Sequence, residues 1–374
     1  MSTRRALRLA AGGAAVALSL GAAPVPHAPV HHTPVRHTPV RRPPAPHTPV
    51  WHVVRAGEPI QQEVDRAKPG DTVFLPPGTY RGSVLVTVPD LTIRGVGDAS
   101  VIVPDGRRNA PQNACGRAGH GICVTGRAGH RVASVRIESL TVAGFPKNGI
   151  SGSETDWMTV SGVLVERNGE EGISQEKSTR GVLVGNRAEG NGQAGIFLAN
   201  IAYGKGGAID TGGAEISGNI LAGNRMGAVL RRVRDLTLED NLIRGNCGGV
   251  FVVGDQGRPR AGALTIRHNT VDANNRYCAP SDRLPAIQGS GIVLTGVEDT
   301  LVTHNVVDGN TGVQPMSGGI VLFRSYVGGP SAGNTVSDNV AMGNRTADLA
   351  DRDRGPGNVF IGNDCRISQP IGRC

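Results

Sequence analysis

Residues 214–253 read AEISGNILAGNRMGAVLRRVRDLTLEDNLIRGNCGGVFVV and contain two copies of one pattern. In each copy an alternating apolar segment leads to an asparagine, four further residues and a second asparagine, and then to glycine and another apolar segment. From Asn219 to Asn241 the pattern repeats after 22 residues. A unit this short cannot bury its own apolar face, whereas copies stacked in register bury one continuous core. The stretch therefore predicts a parallel β-helix.

The repeat extends in both directions from this stretch. Glycine supplies 55 of the 374 residues, which suits tight bends with positive φ and argues against a helical bundle. Stacked asparagines can form side-chain ladders, so we interpret the repeated asparagines as structural. The asparagine pairs are 186/191, 219/224, 241/246, 269/274, 305/310, 339/344 and 358/363, preceded by the pairs Leu140/Phe145 and Val163/Asn168 in the same register.

A short amphipathic helix is predicted before the first coil. Pro59 suits a first helical turn, and Ile60, Val64 and Ala67 follow at helical spacing. We expect a helix over 59–67 that caps the open end of the solenoid, because that end otherwise exposes core and strand edges.

The segment 60–82, IQQEVDRAKPGDTVFLPPGTYRG, followed by LTIRGVG at 91–97, resembles the opening of secreted right-handed parallel β-helix proteins. That superfamily includes pectate lyases, alginate lyases and epimerases, and NosD-like periplasmic proteins. The resemblance covers about residues 52–363 and implies an all-β, right-handed parallel β-helix of roughly ten to twelve coils. The Asp-Pro-His signature of alginate-acting families and the Arg-x-Pro-x-x-Arg motif of pectate lyases are both missing, so no catalytic residue is carried over.

The N-terminal residues predict export. Arg4, Arg5 and Arg8 precede the apolar segment 9–20, which is typical of a signal peptide, and we assign it to residues 1–23. Residues 24–50 contain three copies of His-Thr-Pro-Val and are predicted to be a disordered Pro/His-rich linker, followed by the β-helix domain over 51–374. The protein is expected to be secreted, with no membrane association after export.

Charge and cysteine content narrow the function further. Six of the 39 Lys and Arg residues lie in 1–50, which contains no Asp or Glu. Residues 51–374 therefore contain 33 basic and 31 acidic residues. This balance does not favour nucleic-acid binding.

Six cysteines without a Cys-x-x-Cys spacing favour structural disulfides, and sequence proximity suggests the pairs Cys115–Cys123, Cys247–Cys278 and Cys365–Cys374.

A candidate site follows from the register of the strand after each turn glycine. The first and third residues after the glycine should point inward and the fourth outward. The fourth residues are Ser153, Glu176, Ala199, Arg231, Val253, Thr295 and Phe323, and the fifth are Glu154, Lys177, Asn200, Arg232, Gly254, Gly296 and Arg324. Because coils stack about 4.8 Å apart, we expect a cluster of Glu176, Lys177, Asn200, Arg231 and Arg232.

The insertion after Asn200 should emerge beside this cluster, and it contains Tyr203, Lys205 and Asp210. Uronate lyases need a cation for the substrate carboxylate and a base for the adjacent C–H. Arg231 and Arg232 can hold carboxylates, so they are predicted to bind the substrate together with Glu176 and Asn200. The predicted catalytic candidates are Lys177, Tyr203, Lys205 and Asp210.

Two other interpretations of these residues stay open. The cluster could be a solvated face with ion pairs Glu176–Arg231 and Lys177–Asp210. A glycosidase would need two carboxylates beside one sugar bond, and Glu154, Asp156, Glu176 and Asp210 are available, although the sequence singles out no pair.

A second constellation is His-Asn-x-Val-Asp, present at 268–272 and 304–308, with Asp240 and Asp338 in the histidine column. Imidazole and carboxylate groups are ligands for divalent metals, so the weak metal candidates are His268, Asp272, His304 and Asp308. Exposed turn residues stacked by the repeat are the simpler interpretation. The cofactor is left open, with calcium considered but no motif for it.

Together these features predict a secreted, monomeric protein whose partner is an extracellular acidic polysaccharide. A lyase or epimerase is the first hypothesis. A non-catalytic carbohydrate-binding or surface-interaction module is the second, and a NosD-like metal-associated protein is the third.

Overall fold

The computed structural model describes residues 47–55, 57–107, 112–200, 206–281 and 284–374. The predicted signal peptide and most of the predicted linker lie outside these residues. The described residues form a right-handed parallel β-helix of eleven complete coils, because two sheets contain eleven strands each and the third contains twelve. This confirms the predicted fold class and number of coils. Among the described residues, no helix is both long enough and apolar enough to span a bilayer.

Each coil contributes one strand to each of three parallel sheets. Sheet 1 contains Trp51–Val53, Thr72–Phe74, Thr92–Arg94, Arg136–Glu138, Thr159–Ser161, Val182–Val184, Ile209–Ser217, Val233–Glu239, Gly262–Arg267, Leu301–Thr303, Thr335–Ser337 and Val359–Ile361. Sheet 2 contains Gly78–Arg81, Ser100–Val103, Thr141–Ala143, Leu164–Glu166, Arg187–Glu189, Ile220–Ala222, Leu242–Arg244, Thr270–Asp272, Val306–Asp308, Val340–Met342 and Asp364–Cys365. Sheet 3 contains Val84–Val86, Ile122–Thr125, Ile150–Ser153, Ile173–Glu176, Ala194–Ala199, Met226–Arg231, Gly248–Val253, Ser290–Thr295, Gly318–Phe323, Leu349–Asp351 and Ser368–Gln369. A small parallel pair joins Val132–Ala133 and Thr155–Asp156.

The helices lie near the N-terminal end of the solenoid. Helix α1 spans Ile60–Arg66, with Ile60, Val64 and Ala67 buried in the main core, which confirms the predicted cap. Gln61 continues the hydrogen bonding of the first strand of sheet 3, since its side chain donates to the Leu85 carbonyl and accepts from the Leu85 N–H. Helix α2 spans Ala114–Ala118, and a 3₁₀ turn spans Gly97–Ala99.

The first strand of sheet 1 is anchored by Asp71, which is only 1% exposed. Its carboxylate accepts hydrogen bonds from His47 Nε2 at 2.7 Å, Val50 N at 2.9 Å, His52 Nε2 at 2.9 Å and Lys68 N at 2.8 Å. Burial by itself would raise the pKa of Asp71, but these donated bonds outweigh it and hold the pKa well below its usual range. The compact unit of the structure thus begins at His47, four residues before the predicted start of the β-helix domain at residue 51.

Two ladders of buried asparagines run along the bends on either side of sheet 2. In each step, one asparagine Oδ1 accepts from both the backbone N–H and the side-chain amide of the asparagine in the preceding coil. The side-chain amide also donates to a backbone carbonyl, as Asn186 does to Val160. The first ladder is Asn186, Asn219, Asn241, Asn269, Asn305, Asn339 and Asn363, and the second is Asn168, Asn191, Asn224, Asn246, Asn274, Asn310 and Asn344. The structural interpretation of the asparagines is confirmed.

The last predicted asparagine pair, 358/363, was wrong in register. Asn363 stacks on Asn339 in the first ladder, whereas Asn358 stacks on Asn334 at a different bend, before sheet 1. The second ladder ends instead at Asp348, whose Oδ1 accepts from Asn344. The sequence spacing of five residues is the same in both cases, and only the pairing between coils distinguishes them.

The predicted cysteine pairs are all joined as disulfides: Cys115–Cys123, Cys247–Cys278 and Cys365–Cys374. The second of these ties the insertion after Asn275 to the outer face of sheet 3. There a second apolar cluster forms around Phe251 and Ile287, outside the main core. A Cβ at Gly248 would lie 2.5 Å from the Phe251 ring, so this contact requires glycine.

We expect Asn246→Ala to lower the free energy of unfolding by about 2–4 kcal/mol, because it leaves buried donors and acceptors of two adjacent coils without partners. Urea unfolding followed by circular dichroism measures this. Asn358→Ala is the matched control, because Asn358 is only half-buried and lies near the end of the solenoid. Equal losses for the two variants would contradict a special contribution of the internal ladder.

Candidate functional site

The outward face of sheet 3 has the register predicted from the turn glycines. Ser153 pairs with Glu176, Glu176 with Ala199, and Ala199 with Arg231, and the column continues through Val253 and Thr295 to Phe323. The preceding inward residues, such as Ile196 and Leu198, are buried in the core. The alternation of the short strands therefore fixed which side chains face outward.

The outward face divides into a polar and an apolar part. Small hydroxyl side chains occupy four of the six outward positions in the coils that begin at Ile122, Ile150 and Ile173; the other two are Cys123, which is bonded to Cys115, and Glu176. We call Thr125, Ser151, Ser153 and Ser174 the polar floor. In the following coils the same columns contain Phe197, Val229, Phe251, Val293 and Val321, which belong to the second apolar cluster. The polar floor is the part of this face with hydrogen-bonding groups suited to a polar ligand.

One edge of the floor, before the strands begin, carries a connected polar group that we call the leading edge: His120, Lys147, Asn148, Glu170 and Glu171. Asn148 donates from its side chain to Ser174 Oγ at 2.8 Å, and its Oδ1 accepts from Glu171 N at 3.3 Å. Lys147 Nζ lies 3.3 Å from Glu170 Oε1. The amide of Asn148 thus fixes the position of Glu171 relative to the floor.

Among the titratable groups of this edge, Glu171 has the most strongly shifted pKa. Its burial raises the pKa from 4.5 to about 7, and the neighbouring Glu170 carboxylate adds to the rise, while its own backbone N–H and Lys147 oppose it. A carboxyl with this pKa exchanges its proton near neutral pH, which is the property that a general acid or base requires.

His120 next to it is held in one neutral form. Burial lowers the pKa of His120, and Lys147 lowers it further, while Glu170 opposes the change. Its Nδ1 accepts from the backbone N–H of Asn148 at 3.2 Å, so the ring proton lies on Nε2. His120 can therefore act as a hydrogen-bond donor through Nε2.

The opposite edge of the floor, where the strands end, carries Glu154, Glu176 and Lys177, and we call it the trailing edge. Both Glu154 and Lys177 adopt a left-handed conformation with φ of 50°, which ends the strand and turns the chain toward sheet 1. Burial raises the pKa of Glu176, Lys177 opposes the rise, and Glu154 in the adjacent coil adds to it. Glu154 also lies 3.9 Å from the Arg131 guanidinium.

The structure brings together only part of the predicted cluster. Glu176 and Lys177 lie at the trailing edge, and Asn200 follows in the next coil, where its side chain donates to the Gly207 carbonyl at 2.8 Å. Arg231 is exposed two coils beyond Glu176. Arg232, in contrast, is buried: its Nε lies 3.3 Å from Asp255, and it also donates to the Gly206 carbonyl. Arg232 braces the insertion and does not face the open surface.

The remaining predicted residues of this region have separate positions. Asp210 is exposed, and its Oδ1 accepts from Gly212 N at 2.8 Å. Tyr203 and Lys205 lie outside the described residues. Within the described residues, neither Glu176–Arg231 nor Lys177–Asp210 approaches to the 4.0 Å of an ion pair. The ion pairs expected for a simple solvated face are thus not formed.

The His/Asp columns lie elsewhere on the solenoid. The rings of His268 and His304 pack in a tilted arrangement, with centroids 5.6 Å apart and an interplanar angle of 60°, and both residues occupy left-handed bend positions before sheet 2. Asp272 and Asp308 pair with each other at the far end of their strands. Within the described parts of the chain, no three His, Cys, Asp or Glu side chains converge as a metal site would require.

Sequence reasoning missed the leading edge, although its register contained the signal. The residue immediately before each turn glycine also faces outward. That column contains His120, Asn148, Glu171, Ala194, Met226, Gly248, Ser290 and Gly318. Its large polar residues lie at its start, where the floor is polar, and the small or apolar residues that follow, including Ser290, lie in the coils of the second cluster. Comparing this column with the columns of the fourth and fifth residues after each turn glycine would have located Glu171.

Comparison with known proteins supports the fold. The family described as the right handed beta helix region matches residues 79–206 and 200–365. No curated protein sequence matches the chain. Among solved structures, an alginate lyase from Paenibacillus sp. aligns at 16% identity with a TM-score of 0.51, covering 86% of this chain and 99% of that one. A DFA-IIIase from Arthrobacter chlorophenolicus aligns at 14% identity with a TM-score of 0.55 and the same coverage. At these identities the likeness shows the fold alone.

We expect Glu171→Gln to make the stability of the protein less dependent on pH. The folded-state pKa is raised, so wild-type stability is fully present below about pH 4.5 and is lost as the pH rises through about 7. The variant should therefore match wild type at pH 4 and exceed it by ~3 kcal/mol at pH 8. Urea unfolding at both pH values measures the difference. Glu170→Gln, at an ion-paired surface position, should show no such pH-dependent gain. Parallel pH profiles for Glu171→Gln and wild type would contradict a raised pKa of Glu171.

Proposed function

The chain belongs to the right-handed β-helix family, and we propose that it is an enzyme that acts on an extracellular polysaccharide at the polar floor of sheet 3. The observation that carries this proposal is Glu171, a carboxyl with a pKa of about 7 beside the polar floor, in which Thr125 is exposed and Ser151 and Ser153 are half-buried. An alginate lyase shares the fold, which makes a polysaccharide a reasonable first substrate class for this scaffold.

The floor offers the contacts that a sugar chain needs. The hydroxyl groups of Ser151 and Ser153 can donate to and accept from sugar hydroxyls, and His120 offers the proton on Nε2. Lys147 and Lys177 stand on opposite edges and can each pair with a substrate carboxylate. A polymer that contains uronic acids would supply carboxylates for these two lysines, and Lys147 would then exchange its ion pair with Glu170 for one with the substrate.

Glu171 then supplies the proton transfer. A lysine held against the substrate carboxylate stabilises the negative charge that develops when the adjacent C–H bond loses its proton. The ionised Glu171 takes that proton. In a lyase, the electron pair of the C–H bond forms a carbon–carbon double bond while the bond to the glycosidic oxygen breaks, and that oxygen takes up a proton. In an epimerase, the carbon instead receives a proton on its opposite face.

A second candidate reaction is hydrolysis at the trailing edge. Glu154 and Glu176 occupy adjacent coils, about 4.8 Å apart along the solenoid, and the pKa of Glu176 is raised. Glu176, whose raised pKa favours its protonated form, would act as the acid and Glu154 as the base or nucleophile. Hydrolysis gives new reducing ends without unsaturation, so the products distinguish the two reactions.

Secretion is part of this proposal. The leader predicts export, and three disulfides among the described residues fit an oxidising compartment. Polymers such as pectate and alginate occur outside the cell, where such a protein would meet them.

The direct experiment incubates the purified mature protein with pectate, alginate and glycosaminoglycans, each with and without calcium. Ultraviolet absorbance of an unsaturated product would support a lyase, and reducing ends alone would support the hydrolase. Retention on a polymer column without turnover would support a non-catalytic binding module. Neither turnover nor retention on any of these polymers would contradict the proposed substrate class.

We expect Glu171→Gln to lower kcat by about 100- to 10,000-fold, the usual contribution of a positioned acid or base. Wild-type kcat/KM should rise with pH through an inflection near 7, and the variant should lack it.

Lys177→Ala should mainly raise KM for an anionic polymer, and salt should weaken wild-type binding. Arg324→Ala is the control, since Arg324 is exposed in the same column but lies beyond the apolar part of the face. Full activity of Glu171→Gln would exclude this residue as the proton-transfer group.

A further inference from the structure

Trp157 is exposed at the bend that follows the trailing edge. It is one of two tryptophans in the chain, and 55% of its surface is accessible. Its φ is 56°, a left-handed conformation that is sterically unfavourable for a large side chain and that glycine or asparagine adopts more readily. Neither the packing of the core nor the bend itself therefore calls for tryptophan at this position.

One face of the indole is held by its neighbours. The Arg180 guanidinium of the next coil lies 4.7 Å from the ring centroid. Arg180 is in turn fixed by Asp156, whose Oδ1 accepts from Arg180 Nε at 2.9 Å and from Thr179 Oγ1 at 2.8 Å. This arrangement orients the ring before any ligand arrives and covers one of its two faces.

The position of the ring relative to the floor is set by a short segment of chain. After Ser153 and the bend at Glu154, the strand Thr155–Asp156 runs along the edge of the solenoid and ends at Trp157. The ring is thus four residues beyond the floor in the same coil. At ~3.3 Å per residue, the Cα of Trp157 lies at most about 13 Å from the Cα of Ser153, and Glu171 lies on the far side of the floor.

We propose that Trp157, held by Arg180 and Asp156, is a distal sugar-binding subsite that stacks its free face on one ring of a bound polysaccharide. Sugar rings expose C–H groups on their faces, and these pack on an aromatic surface while the ring hydroxyls remain hydrated. The left-handed strain is then retained because it presents the indole to the ligand. This subsite rests on the proposed function, since it binds the same polymer several sugar units away from Glu171.

The subsite can be observed by fluorescence. In Trp51→Phe, Trp157 is the only tryptophan, and Phe at 51 retains a ring for the contact with Phe74. Addition of alginate or pectate oligosaccharides should shift the emission to the blue and protect the indole from acrylamide quenching. If the oligosaccharide is retained or turned over but neither emission nor quenching changes, the subsite is excluded while the proposed function stands. If no oligosaccharide is retained or turned over, both are excluded.

Variants separate binding from folding. Trp157→Gly should melt at the same temperature as wild type or higher, because glycine removes the left-handed strain. Its KM for long oligosaccharides should rise about threefold to tenfold with kcat unchanged. For substrates too short to reach from Glu171 to Trp157, its KM should equal that of wild type, and Trp157→Tyr should restore much of the loss. Trp51→Ala, which removes the other exposed tryptophan, is the matched control. A KM that is unchanged for long substrates, or raised equally for short ones, would overturn the proposal.

Discussion

Every part of this protein depends on the stacking of one coil on the next. A coil of about 22 residues buries no core of its own, and its bends contain asparagines whose side chains bind the backbone and the asparagines of adjacent coils. The hydrogen bonds of the asparagine ladders are directional, so they fix the register between coils more strictly than the apolar interior does. Insertions are tolerated wherever they leave the ladder positions in place, as the 36-residue step between Asn269 and Asn305 shows.

This strict register turns a one-dimensional sequence into columns on a surface. On the outward face of sheet 3, residues at equal positions in successive coils become neighbours, so a change in composition along the chain becomes a boundary on the protein. The hydroxyl residues of the early coils form the polar floor, whereas the later coils carry Phe251 and Val293, which lie beneath an insertion tied down by Cys247–Cys278. The candidate site lies where the face is polar and uncovered.

The edges of the floor acquire their chemistry from partial burial. Glu171 and Glu176 occupy the same strand region at opposite edges, and burial raises the pKa of both. The lysines nearby oppose the rise without cancelling it. Asp71 shows the opposite balance, because four donated hydrogen bonds outweigh an even deeper burial and keep that carboxyl ionised as an anchor. The number of donated hydrogen bonds therefore separates a structural carboxylate from a candidate catalytic one.

The sequence by itself determined the parallel β-helix, the capping helix, the disulfide pairs and the outward columns of sheet 3, because each follows from a short-range spacing that stacking preserves. It did not locate Glu171, since burial of that carboxyl depends on neighbouring coils and not on its own segment. It also could not show that Arg232 turns inward to Asp255 while Arg231 stays exposed. The pairing of Asn358 with Asn334 likewise could not be predicted from the sequence, because a spacing of five residues does not show at which bend each asparagine lies. Only the alignment of the coils in the structure distinguishes the two bends.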